Sequence, residues 1–193
     1  MSVLPDAIDA DRQPPMAVPL GHFLVGLGFL LGGVVVGAGL LAGVVPGFGT
    51  VAHVHLLLVG WVGLTIMGAM TQFVPVWSGV DLYSRRLASI QLLCVVAGLG
   101  GFVASLTTGS VWLPAFGTVL VVGFWTFAYN IARTLAAVED YDVTERHFLL
   151  AVGFFVVLSP LGAVLAADLT WPILPAGPVS HATVLGTHVT VAV

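Results

Sequence analysis

Apolar residues run along this chain in blocks separated by short polar or Gly/Pro-bearing stretches, and the blocks have the length of membrane spans. Crossing the hydrocarbon of a bilayer takes about 20 residues of helix. Runs of this kind lie at Gly21 to Val45, Val51 to Val76, Leu87 to Leu106, Val111 to Leu135 and Phe148 to Ala167. A sixth opens near Val179 and has 15 residues to Val193, about 22 Å of helix against a core of about 30 Å. The pattern predicts an all-α fold, a polytopic transmembrane helix bundle of about six spans with the sixth (179–193) truncated. It divides into a polar N-terminal tail over 1–20 and a transmembrane helical domain over 21–193. Because the sixth run stops short, we expect the first part of a longer membrane subunit.

Composition agrees with this reading. Hydrophobic residues make up 59% of the chain and charged residues 7%, with a mean hydropathy of +1.11, whereas a soluble domain carries roughly 25% charge. The opening MSVLPDAIDADRQPPMAVP has neither the apolar core nor the cleavage site of a signal peptide, so the first span is expected to be retained. A single cysteine, Cys94, excludes an intrachain disulfide, a thiolate metal cluster and a CxxCH haem attachment. The chain has no lysine and is acidic overall, with a formal charge of −4. It therefore lacks the basic footprint of a nucleic-acid partner; its expected surroundings are the lipid bilayer of the cell (plasma) membrane and other respiratory or membrane subunits.

The arginines give an orientation, because basic loops stay on the cytoplasmic side. Arg12, Arg85, Arg86, Arg133 and Arg146 all fall on one side if the N-terminus is cytoplasmic. The turns VPGFGT, TTGSVW and DLTWPILPAGP then face outward. In the first span Gly21, Gly28, Gly32, Gly39 and Gly43 recur at steps of seven and four, which predicts one helical face that packs closely on a neighbour. No Asp, Glu or Lys falls inside the expected spans; Glu145 and Asp168 are read as lying in loops or at helix ends. A proton relay of buried carboxylates is therefore not expected.

Two histidine clusters remain, AHVHLLLVGW at His53 and His55 and SHATVLGTH at His181 and His188. Ionisable groups within spans default to function, and with no thiolate set to hand a haem or metal would fall to imidazoles. His53 and His55 point about 200° apart on a regular helix, so at most one serves a given centre. His181 and His188 share a face but stand about 10.5 Å apart along the axis. Capping a helix end in the headgroup zone is the plainer role open to these four, and to His22 and His147 at the opposite ends. VAHVHLLL at 51–58 and VSHATVLG at 179–186 align with His53 opposite His181, which suggests a four-helix internal repeat.

Histidines on helices two and six, the four-helix period and the stretch HVHLLLVGWVGLTIMGAMTQFVP together resemble the haem-copper oxidase subunit I superfamily, which includes cytochrome c and quinol oxidases and nitric oxide reductases. The resemblance implies b-type haem (haem b) held by His53 or His55, copper held by His181 with His188 as a secondary candidate, and electron transfer toward oxygen or nitric oxide reduction. Position 185 is Leu, where the family carries a tyrosine or glutamate near the helix-six histidine. Two other readings stay open: a non-catalytic haem- or metal-binding membrane protein of the nitric-oxide-responsive type, and a cofactor-free transporter or assembly subunit.

Overall fold

The computed structural model describes residues 15–192. Most of the 1–20 tail, Arg12 included, lies outside the described residues, as does Val193. Six helices follow one another: α1 Ala17–Leu41, α2 Gly49–Ser78, α3 Arg85–Thr108, α4 Leu113–Leu135, α5 Val143–Thr170 and α6 His181–Ala192. The first five are long and apolar enough to cross a membrane, and no strand occurs among the described residues. This is the multi-pass helical architecture that the apolar blocks predict. Helix α6, with 12 residues, rises about 18 Å.

The helix ends follow from local chemistry. Pro19 sits in the first turn of α1, where its missing N–H removes no helical bond; the helix therefore starts four residues before the expected Gly21. Gly79 and Gly109 take left-handed conformations and end α2 and α3, a geometry that glycine adopts without strain. At the start of α3 the Ser84 hydroxyl accepts the Leu87 N–H at 3.2 Å. Helix α5 begins at Val143 and not at the expected Phe148. The acidic stretch read as a loop supplies a capping box, in which Asp142 accepts backbone N–H bonds from Thr144 and Glu145 while Glu145 accepts the Asp142 N–H. At the other end α5 runs on to Thr170, so Asp168 lies in its last turn.

Helix α2 is not α-helical throughout. Residues Leu56–Gly63 form a π-helical segment directly after His55, a widening of the turn that is rare and frequent at functional sites. Gly60 and Gly63 are buried within it.

Helix α1 lies along α2, α3 along α4, α4 along α5 and α5 along α6, while α2 also reaches α3 and α4. Leu64, Met67, Val74, Val95, Leu99, Phe127, Ile131 and Leu135 fill the space between α2, α3 and α4 and are fully enclosed. Leu24, Leu31 and Val35 of α1 and Leu150, Phe154 and Val157 of α5 point outward, as a bilayer permits.

The glycine face of α1 differs from the expected one. Gly28, Gly32 and Gly43 have no atom within 4 Å of a built Cβ. Packing on α2 falls instead to Gly26, Gly33 and Gly37, where a Cβ would stand 3.4 Å from the Gly60 carbonyl oxygen, 2.5 Å from Leu57 and 2.8 Å from His53. Both sets repeat at seven and four; the partner helix selects between them, because Gly60 of α2 has Phe29 2.6 Å from where its Cβ would be.

Candidate functional site

All four candidate histidines lie toward the end of the bundle opposite Arg85, Arg86, Arg133 and Arg146, but among the described residues they form no single cluster. His53 turns onto α1. Its Nδ1 is 2.8 Å from the Gly33 carbonyl, and its ring packs against Gly37, whose Cβ would come 2.8 Å from Cε1 and 3.6 Å from Nε2. A carbonyl only accepts, so Nδ1 carries the proton. His55, on the other side of the helix, bonds through Nδ1 to the Val51 carbonyl at 2.8 Å. Its ring meets Phe102 of α3 at 5.1 Å, tilted by 44°. The neutral tautomer that donates from Nδ1 leaves the Nε2 lone pair available to a ligand.

His188 of α6 lies against Gly162 of α5, whose Cβ would be 3.1 Å from its Cε1. Its Nδ1 is buried, and its ring lies by the Leu158 carbonyl of α5. His188 and His55 stand on helices six and two. His53 and His181, matched by the internal alignment, have unlike surroundings. His181 Nδ1 bonds to Asp168 Oδ2 at 2.7 Å, while Asp168 Oδ1 accepts the N–H groups of Ile173 and Leu174 at 2.8 and 2.7 Å. Among the described residues no three His, Cys, Asp or Glu converge as a metal site would require.

The opposite end holds polar chemistry that the sequence reading missed. His22 is not interfacial: it is almost wholly enclosed, with Gly68 of α2 against its Cβ. It donates from Nδ1 to the Val18 carbonyl at 2.8 Å, and its Nε2 lies 3.3 Å from the Gln91 amide nitrogen of α3. The early start of α1 carries His22 into the bundle. Glu145 is also buried and accepts the Ser78 hydroxyl at 2.7 Å. Asn130 of α4 grips the connection between α2 and α3 by accepting the Ser84 N–H and donating to the Ser84 carbonyl, both at 3.0 Å. Thr134 accepts the Tyr83 N–H at 3.0 Å, and Arg133 stands 5.0 Å over the Tyr83 ring. The D-x-x-E spacing of Asp142 and Glu145 was the one sequence signal for this end. Outside the spans, Asp142 has its carboxyl held below the ordinary range, first by the Glu145 side chain and then by the backbone N–H groups of Glu145 and Thr144.

Protein-family models, characterised proteins and solved structures were all compared with this chain, and none matches it.

Proposed function

We propose that the chain is a haem-binding subunit of a plasma-membrane oxidoreductase, resembling subunit I of the haem-copper oxidases and carrying electrons toward oxygen or nitric oxide. The observation that carries this reading is His55. Its Nδ1–H is fixed by the Val51 carbonyl, which orients the ring and leaves Nε2 for an iron ligand bond, the arrangement that ligating imidazoles adopt. His53 suits ligation less, since its ring is packed against α1 at Gly37.

A b-type haem would supply one-electron chemistry at iron. The chain would contribute the axial imidazole of His55, its orientation by Val51, and the apolar Phe102 ring that limits water. Copper at His181 is the less developed part of the reading: the Asp168 bond to its Nδ1 leaves Nε2 open to a ligand bond, while among the described residues no three His, Cys, Asp or Glu converge on it or on His188. With basic loops inside, His55 and His188 face the outer leaflet.

The test is the visible spectrum of the full chain purified from haem-replete membranes. A Soret band is expected in the native protein and in His53→Ala, and its loss in His55→Ala. Absence of haem from the native protein, or full retention in His55→Ala, overturns the assignment. Turnover with an artificial electron donor then decides the oxidoreductase claim, since a haem sensor would keep the band and consume no oxygen or nitric oxide.

A further inference from the structure

A groove of about 330 Å³ opens to the outside between α1 and α3. Ala17, Val18, Gly21 and His22 form one wall, and Ala88, Ser89, Leu92, Leu93 and Val96 form the other. The α3 residues recur at three and four, so they make a strip about 12 Å long on one helical face. Arg85 and Arg86 stand at the end of this strip, in the first turn of α3, and both are exposed.

The chemistry of the walls limits what can lie there. His22 is the one imidazole among the lining residues, and both its ring nitrogens are occupied, by the Val18 carbonyl and by Gln91. The Ser89 hydroxyl is 3.4 Å from the Arg85 carbonyl. The floor thus offers no free donor, so the buried part of an occupant must be hydrocarbon. One turn before Ala88 and Ser89, Arg85 and Arg86 supply two exposed guanidiniums, groups whose planar forks match phosphate oxygens. Hydrocarbon joined to a phosphate, presented from the bilayer side, is an anionic phospholipid.

We propose that the α1–α3 groove is a binding site for one anionic phospholipid, with an acyl chain along Gly21, Leu92 and Val96 and its phosphate at Arg85 and Arg86. Basic residues at the membrane surface contribute a similar increment each; removing two should weaken binding roughly thirty-fold. The site is independent of the histidines at the other end.

The test is native mass spectrometry of the detergent-solubilised full chain titrated with phosphatidylglycerol or phosphatidylcholine. One phosphatidylglycerol should be retained in preference to phosphatidylcholine, with roughly thirty-fold weaker retention in the double variant Arg85→Gln/Arg86→Gln. Gly21→Leu keeps the arginines and fills the groove. A Cβ at Gly21 has only an ordinary contact, 3.7 Å from Leu92, so the helix pair should tolerate the change, which circular dichroism checks. This variant should also lose the lipid. Equal retention of the two lipids, undiminished binding in the double variant, or undiminished binding in Gly21→Leu would overturn the proposal.

Discussion

Nδ1 of His181 lies 2.7 Å from Oδ2 of Asp168, so the first residue of α6 is tied to the last turn of α5 across the segment that joins them. The same carboxylate holds the N–H groups of Ile173 and Leu174. One side chain therefore sets the path of the connection and the start of α6. Asp168→Ala removes all three hydrogen bonds at once. Amides of residues 172–180 should then exchange with deuterium about tenfold faster, with α3 and α4 unchanged. An unaltered exchange pattern would mean that the connection is held by something else.

Asn130 grips Ser84 by two hydrogen bonds while fully enclosed by the bundle. Truncation leaves a backbone N–H and a carbonyl unpaired. Asn130→Ala should cost about 2 kcal/mol, measured as a lower thermal midpoint in detergent. A midpoint equal to that of the native protein would show that water or a neighbour replaces the amide.

Gly98 faces the backbone of α4, where a Cβ would stand 2.9 Å from the Leu120 nitrogen. Backbone cannot yield as a side-chain tip can. Gly98→Ala should therefore part α3 from α4 at a cost of about 1–3 kcal/mol. Gly100→Ala provides the control, since nothing stands within 4 Å of its Cβ position. Equal losses from the two substitutions would remove the packing argument.

Asp142 gives a pH dependence with a defined sign. Its folded carboxyl is held below the ordinary value by Glu145 and Thr144, so its contribution is present above the unfolded carboxylate range, near 3.9, and is lost as pH falls through the lower folded value. Thermal midpoints taken from neutral to strongly acidic pH should fall at the acid end for the native chain. The acid slope should be shallower in Asp142→Asn, and an unchanged slope would assign the acid loss to other carboxylates.

The long helices were legible because apolar blocks of bilayer length leave the backbone few alternatives, and α3 and α4 differ from the sequence reading by no more than two residues at either end. Boundaries slipped where polar chemistry begins a helix. Asp142 and Glu145 look like loop residues by hydropathy, yet as a capping pair they start α5. The glycine face of α1 was ambiguous because two interleaved stripes share one spacing, and only the position of Gly60 on α2 separates them. The opposed faces of His53 and His55 followed from helical geometry. The contact of His55 with Phe102, the enclosure of His22 and the Asp168 clamp all depend on tertiary packing that no local pattern records.

The π-helical turn at Leu56–Gly63 gives α2 the character of a helix carrying a tolerated insertion. Deleting one residue inside that segment would let the wide turn close to ordinary α geometry, so the loss is taken up within the turn and not passed on as the rotation of about 100° that it would impose on a regular α-helix. With Met67 and Val74 locked in the core and His55 against Phe102, both ends of α2 would then keep their faces. The segment makes α2 more tolerant of a lost residue than a regular helix would be at the same place.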